Sequence, residues 1–152
     1  MDIKKFWANK NVIITGHTGF KGSWLTLLLT HLGANVIGIS REKYDGIYKL
    51  SSVDKVLEKE YFIDISNNIK LPKKEIDKFN PDIIFHLAGQ SLVSVGYKDP
   101  LDTINTNILG TYNVLDYFNK IDSVRSAVVS TTDKVYLNPA ETNNELSEIG
   151  GT

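Results

Sequence analysis

At 152 residues the chain is long enough to bury one sizeable core and too short for two. Its 41% hydrophobic and 23% charged content is that of a soluble globular protein, and a net charge of −1 gives no broad basic field to attract nucleic acid or an anionic membrane. Neither is expected as a partner. The chain has no cysteine, which excludes disulfides, thiolate metal sites and a cysteine nucleophile. From Met1 to Lys10 acids, bases and aromatic residues are mixed, with no signal-peptide core or spanning apolar run after them, so a cytoplasmic location is expected.

In chain order, Asn11 to Thr15 (NVIIT) is a compact apolar run ending at a glycine, as in a buried parallel strand. The leucines and Trp24 between Phe20 and Leu32 predict a well-buried helix closed by Gly33. Asn35 to Ser40 predicts a second strand, Ile47 to Leu57 a weaker helix, and Tyr61 to Ile63 a short third strand. Pro72 can start the next helix, because a proline at the first helical position forfeits no intrahelical bond. That helix ends near Asn80-Pro81, and Asp82 to Leu87 predicts a fourth strand.

A long helix then begins at Asp99-Pro100, with Asp99 as N-cap and Asp102 at the positive dipole end. Ile104, Ile108, Leu115 and Phe118 recur along it at near-helical spacing, and Ala127 to Ser130 predicts a fifth strand. Strands alternating with helices imply right-handed crossovers and a parallel sheet covered on both faces. The expected fold is α/β: a doubly wound parallel sheet of Rossmann type. In the order 3-2-1-4-5 the first and fourth strands flank the switch point where ligands bind. Three segments then converge on one crevice: Gly16 to Gly22, His86 to Gln90, and Thr131 to Lys134.

The first of these has the pattern G-x-x-G-x-x-G between a strand and a helix. Gly16 allows a tight turn, Gly19 lets the backbone approach a pyrophosphate, and Gly22 permits close helix–strand packing. The bland alternative is a tight turn with no ligand. His17 reads as a tolerated loop residue and His86 as a satisfied, partly buried histidine. The three histidines show no ligand spacing, so no metal is assigned.

An acid at the end of the second strand favours NAD, whereas an arginine can accept the extra phosphate of NADP. Ser40-Arg41-Glu42 leaves both open: Arg41 either meets a 2′-phosphate or is a solvated surface charge. Asp64 either accepts from the adenine amino group or forms a turn. Ala88-Gly89 leaves room for a flat cofactor. Thr132-Asp133-Lys134 combines a hydroxyl, a carboxylate and an amine, which together can orient a substrate hydroxyl and move protons, or can be a plain polar turn. As a base, Lys134 needs a strongly lowered pKa; as a cation it can stabilise developing negative charge.

These residues resemble the extended short-chain dehydrogenase/reductase family, and within it the CDP-glucose 4,6-dehydratases. The resemblance rests on Thr15 to Leu25 (TGHTGFKGSWL), Phe85 to Gln90, Leu92-Val93, Tyr97, Asp99-Pro100, Asn107 to Thr111 and Thr132-Asp133-Lys134, and it spans essentially the whole chain. It implies NAD as cofactor, with NADP as the alternative, and a nucleotide sugar as substrate. The implied reaction is redox-neutral: C4 of the sugar is oxidised, water leaves across C5 and C6, and the hydride returns to C6. The implied cofactor-binding residues are Gly16, Thr18, Gly19, Phe20 and Gly22; Ser40 and Arg41; Asp64 and Ile65; Leu87, Ala88 and Gln90; and Asn107. The implied catalytic residues are Thr132 near the C4 oxygen, Asp133 as the acid toward the C6 hydroxyl, and Lys134 at the position that handles the C5 proton. A place in nucleotide-sugar metabolism and lipopolysaccharide O-antigen biosynthesis follows from the same resemblance.

One departure is plain. The family's Tyr-x-x-x-Lys pair does not occur among the 152 residues. The expectation is therefore a truncated dinucleotide-binding domain over residues 1–152, without the C-terminal substrate domain and inactive alone, homodimeric when full length. The alternatives are another member of the family (an epimerase or a GDP-mannose-type dehydratase) and a non-catalytic NAD(P)-sensing module. An exposed sheet edge beside the fifth strand is also expected.

Overall fold

The computed structural model describes residues 2–67 and 69–132. Among them, five parallel strands form one sheet: β1 (Asn11–Thr15), β2 (Asn35–Ser40), β3 (Lys59–Phe62), β4 (Ile83–His86) and β5 (Ser126–Val129). Their order is β3-β2-β1-β4-β5, the doubly wound order, with β1 and β4 at the switch point. The register pairs Ile13 with Ile37 on one side and with Ile84 on the other.

Alternation along β1 divides the core between the two faces of the sheet. Ile13 joins Ile37, Ile39, Ile84, Ile76, Val114 and Phe118 on one face. Val12 and Ile14 join Leu29, Ala34 and Val36 on the other, where Trp7 and Phe85 also pack. Trp7 belongs to a short first helix, α1 (Ile3–Trp7), capped by the Asp2 carboxylate. Sequence periodicity over so short a segment gave no sign of it.

The second helix, α2 (Phe20–His31), corrects the expectation of a well-buried helix. Its inner face is Gly22, Ser23, Thr26 and Leu29, while Phe20, Trp24 and Leu28 are 72%, 51% and 53% exposed. Small residues face the sheet because α2 lies close on the turn before it: a Cβ at Gly22 would come within 2.1 Å of the Gly16 carbonyl oxygen. The expected helix from Ile47 to Leu57 is divided. Only α3 (Ile47–Leu50) is α-helical, and a single 3₁₀ turn covers Val53–Lys55. Ser52 breaks the run with a left-handed backbone (φ 48°), and a serine pair is a poor helix interior.

The next helix, α4 (Lys73–Phe79), starts one residue beyond Pro72, which occupies the N-cap rather than the first helical position. It stops at Asn80, left-handed at φ 54°, before Pro81. The long helix expected from Asp99 is preceded by α5 (Val93–Lys98), which was not foreseen. Asp99 does cap α6 (Pro100–Ile104), accepting from the Asp102 N–H at 3.0 Å. A π turn over Asn105–Leu109 then leads into α7 (Gly110–Phe118). Among the described residues no helix is long and apolar enough to cross a membrane.

Candidate functional site

The glycine loop leaves β1 at Gly16, whose φ of 77° and closeness to the strand after it both demand glycine: a Cβ there would stand 2.7 Å from the Ala88 nitrogen. Gly19 caps α2 without a side-chain bond. The first-turn N–H groups of α2 have no acceptors within the helix, so this end carries partial positive charge. Gly16, Thr18, Gly19 and Phe20 line a cavity of about 640 Å³ over the C-terminal ends of β1 and β4.

Ser40 and Arg41 from the end of β2, Asp64 and Ile65 after β3, and Leu87, Ala88 and Gln90 after β4 complete its expected wall. Gly22 and Asn107 are not on that wall. Gly22 packs α2 against the turn. Asn107, in the π turn, clamps the loop after β4: its Oδ1 accepts from the Gln90 N–H at 2.7 Å and its Nδ2 donates to the Gln90 carbonyl at 2.9 Å. Thr132 is exposed beyond the end of β5 and is not among the lining residues. Asp133 and Lys134 lie outside the described residues.

Two buried histidines brace the site. His86 is 1% exposed, in line with a satisfied histidine. Thr15 donates its hydroxyl to Nδ1 at 2.7 Å, and Nε2 donates to Thr111 Oγ1 at 2.9 Å. Thr111 Oγ1 in turn donates a hydrogen bond to the Asn107 carbonyl at 2.8 Å, so one chain of hydrogen bonds joins β1 and β4 to the π turn. Burial lowers the His86 pKa below its ordinary 6.5.

His17 corrects the expectation of a tolerated loop residue, since it is fully buried. The Ser40 hydroxyl donates to its Nδ1 at 3.0 Å, and its Nε2 donates to Glu60 at 3.2 Å. Tyr48 donates to the same Glu60 oxygen at 2.7 Å. Burial depresses the His17 pKa and outweighs the hydrogen bond and charge of Glu60 that act to raise it, so the ring is neutral and the contact is a hydrogen bond. The ring lies flat on β2 where a Cβ at Gly38 would meet it at 2.5 Å. Ser40 also accepts from the Thr18 N–H at 3.3 Å, and Thr18 Oγ1 donates to the Glu42 carbonyl at 2.9 Å. The glycine loop is therefore tied to the end of β2.

Arg41 is not a free surface charge. Its Nη1 lies 3.1 Å from Asp102 Oδ1, and Asp102 itself lines the cavity. Burial disfavours the Arg41 cation, but the Asp102 carboxylate, with smaller help from Asp64, holds its pKa above the ordinary value. Tyr44, Ile47, Leu92 and Thr106 also line the wall and were not foreseen. Tyr44 lies in the loop after β2, Ile47 at the first position of α3, Leu92 at the N-cap of α5 and Thr106 in the π turn, places where apolar periodicity carries no signal. Among the described residues no group of three His, Asp or Glu side chains is placed to hold a metal ion.

The glycine loop, the sheet order and the cavity agree with what the chain is similar to. The GDP-mannose 4,6 dehydratase family model matches residues 13–148. CDP-glucose 4,6-dehydratase of Salmonella typhimurium is 38% identical over 137 residues, covering 89% of this chain and 38% of that protein. dTDP-glucose 4,6-dehydratase of Haemophilus influenzae is 30% identical over 140 residues, covering 83% of this chain and 40% of that one. The chain thus spans about two fifths of the length of these relatives.

An epimerase from Methanothermobacter thermautotrophicus superposes with a TM-score of 0.69 at 28% identity, over 91% of this chain and 40% of the other. A UDP-glucose-4-epimerase from Stenotrophomonas maltophila reaches 0.69 at 21% identity, over 84% and 38%, a likeness of fold. The chain belongs to the GDP-mannose 4,6 dehydratase family of extended short-chain dehydrogenases/reductases.

Proposed function

We propose that the chain is the cofactor-binding part of an NAD-dependent nucleotide-sugar 4,6-dehydratase that converts CDP-glucose to CDP-4-keto-6-deoxyglucose. The observation that carries this reading is the 38% identity to CDP-glucose 4,6-dehydratase across 89% of the chain. On this reading residues 1–152 form one dinucleotide-binding domain, with the substrate domain outside them.

The cavity fits the cofactor. Its volume of about 640 Å³ is that of a small-molecule site, and a Cβ at Gly16 or Gly22 would collide with backbone and distort the loop that lines it. Gly19 and the first turn of α2 would receive the pyrophosphate, Ser40 and Arg41 the adenosine ribose, and Asp64 with Ile65 the adenine. Leu87 and Ala88 would lie along the flat ring, and Asn107 would hold Gln90 in place beside it. NAD, when bound, supplies a hydride acceptor at C4 of the sugar that later returns the hydride at C6.

Thr132 would orient the C4 oxygen and Asp133 would protonate the departing C6 hydroxyl. Lys134 would take the C5 proton, which is acidic only while C4 is a ketone. Incubating CDP-glucose with a protein that carries this chain together with its substrate domain is expected to give a product lighter by one water in mass spectrometry. Turnover of a different nucleotide sugar, with CDP-glucose untouched, would replace the substrate assignment. A second reading, an epimerase, is favoured by the 28% likeness to the Methanothermobacter thermautotrophicus structure. It predicts an isomer of unchanged mass instead.

A further inference from the structure

A Rossmann-type fold commonly offers an acid at the end of the second strand to the adenosine ribose, but the acid at the end of β2, Glu42, is not on the cavity wall. Of Ser40-Arg41-Glu42, only Ser40 and Arg41 line the cavity. A carboxylate nevertheless reaches this corner, and it comes from a different element. Asp102 stands in the first turn of α6, with its backbone N–H fixed by the Asp99 cap at 3.0 Å. Its Oδ1 lies 3.1 Å from Arg41 Nη1, and both side chains line the same cavity wall beside Ser40. The other wall carboxylates are engaged elsewhere: Asp64 accepts from the Ser66 N–H at 2.9 Å, and Asp45 pairs with Lys49 at 2.9 Å.

A free arginine here would present a planar fork of donors to a phosphate dianion. Paired, it is neutralised, and an incoming phosphate must displace a carboxylate and tolerate its repulsion. The side chains of Arg41 and Asp102 remain 47% and 32% exposed, so the pair contributes little to folding and its effect falls on what enters the cavity.

We propose that Asp102 is a specificity-determining residue for the cofactor: by neutralising Arg41 and facing the ribose corner, it makes the cavity accept NAD and reject NADP. This rests on the proposal that the cavity binds a nicotinamide dinucleotide. Calorimetric titration of the full chain with NAD and with NADP tests it. The parent chain is expected to bind NAD more tightly. Asp102→Asn is expected to move the ratio of the two dissociation constants by about tenfold or more toward NADP. Arg41→Ala in that background is expected to cancel the gain, and Asp102→Glu to keep the preference for NAD.

An unchanged ratio in Asp102→Asn, with NAD still bound, overturns the role of Asp102 and leaves the cofactor reading standing. A gain that survives loss of Arg41 overturns it likewise. A parent chain that prefers NADP overturns this inference while leaving a dinucleotide site standing, and one that binds neither dinucleotide overturns the cofactor reading and this inference with it.

Discussion

Gly38 and His17 are a matched pair, and neither explains itself alone. The imidazole occupies the space a side chain on β2 would need, so Gly38→Ala drives a Cβ to 2.5 Å from the ring. Overpacking of that kind costs about 1–3 kcal/mol. Shortening the ring in His17→Ala removes the clash but leaves Ser40 and Glu60 without their partner, at about 1–3 kcal/mol. The double variant is therefore expected to be more stable than the sum of the single losses, by urea titration. Strict additivity would mean that the two residues do not share one space. The same burial sets a pH dependence. His17 and His86 both have pKa values below the ordinary 6.5 in the folded chain, so below that pH the unfolded chain binds protons that the folded chain refuses. Stability from these rings is complete above about pH 6.5 and is lost as pH falls toward their folded values. The urea midpoint should drop steadily on acidification through this range, and a flat midpoint would contradict the assignment of neutral rings.

At the scale of elements, the π turn does what a regular helix could not. Its Gly110 N–H reaches back to the Asn105 carbonyl, and this wider turn carries Asn107 to both backbone groups of Gln90. Gly110 then lets α7 approach the chain after β3, where a Cβ would press on Ile65 at 2.9 Å. Asn113 adds bonds to the carbonyls of Ile65 and Ser66 at 2.9 and 3.2 Å. One helical unit thus fixes two walls of the cavity. Asn107→Asp keeps the acceptor for the Gln90 N–H but sets a carboxylate against the Gln90 carbonyl. We expect it to weaken NAD binding about as much as Asn107→Ala does, on the order of tenfold for one bond to a positioned loop. Binding equal to the parent in both variants would show that the clamp does not shape the site. The strands and the glycine loop were legible in the sequence because apolar runs such as NVIIT and NVIGIS have one reading once they alternate with helices. The π turn was not legible, since Ile104 and Ile108 keep a helical spacing whether or not an extra residue is inserted. His17 was missed because its partner Glu60 lies 43 residues away, at a distance only the sheet order closes. The role of Asp102 was hidden the same way: a helix-start aspartate has a sufficient local reason to exist.

At the scale of the whole molecule, two surfaces expose apolar groups that a second copy could cover. Leu101, Ile104, Ile108, Tyr112 and Leu115 run along α6, the π turn and α7 and are between 39% and 65% exposed. An apolar stripe of that length on one helical unit is uncommon on a monomer surface. The competing surface is β5, the edge of the sheet among the described residues, where Val128 is 49% exposed and the outer backbone groups offer a template for strand addition. The two differ in order as well as place. A helical face pairs about a two-fold axis and closes at a dimer, whereas β5 of one copy adding to the opposite edge, β3, of the next can continue. We propose the helical face, and expect sedimentation velocity to show a dimer that does not grow with concentration. Ile108→Asp is expected to yield monomers, since a charge at the centre of an apolar interface must be desolvated without a partner. Val128→Lys should leave the dimer intact. The reverse pattern, monomers with Val128→Lys and persistent association with Ile108→Asp, would assign the contact to the sheet edge. Because the same helical unit carries Asp102 to the cavity and Asn107 to the Gln90 loop beside it, a dimer through its outer face would stiffen the inner one, and NAD affinity should then fall as Ile108→Asp disperses the pair.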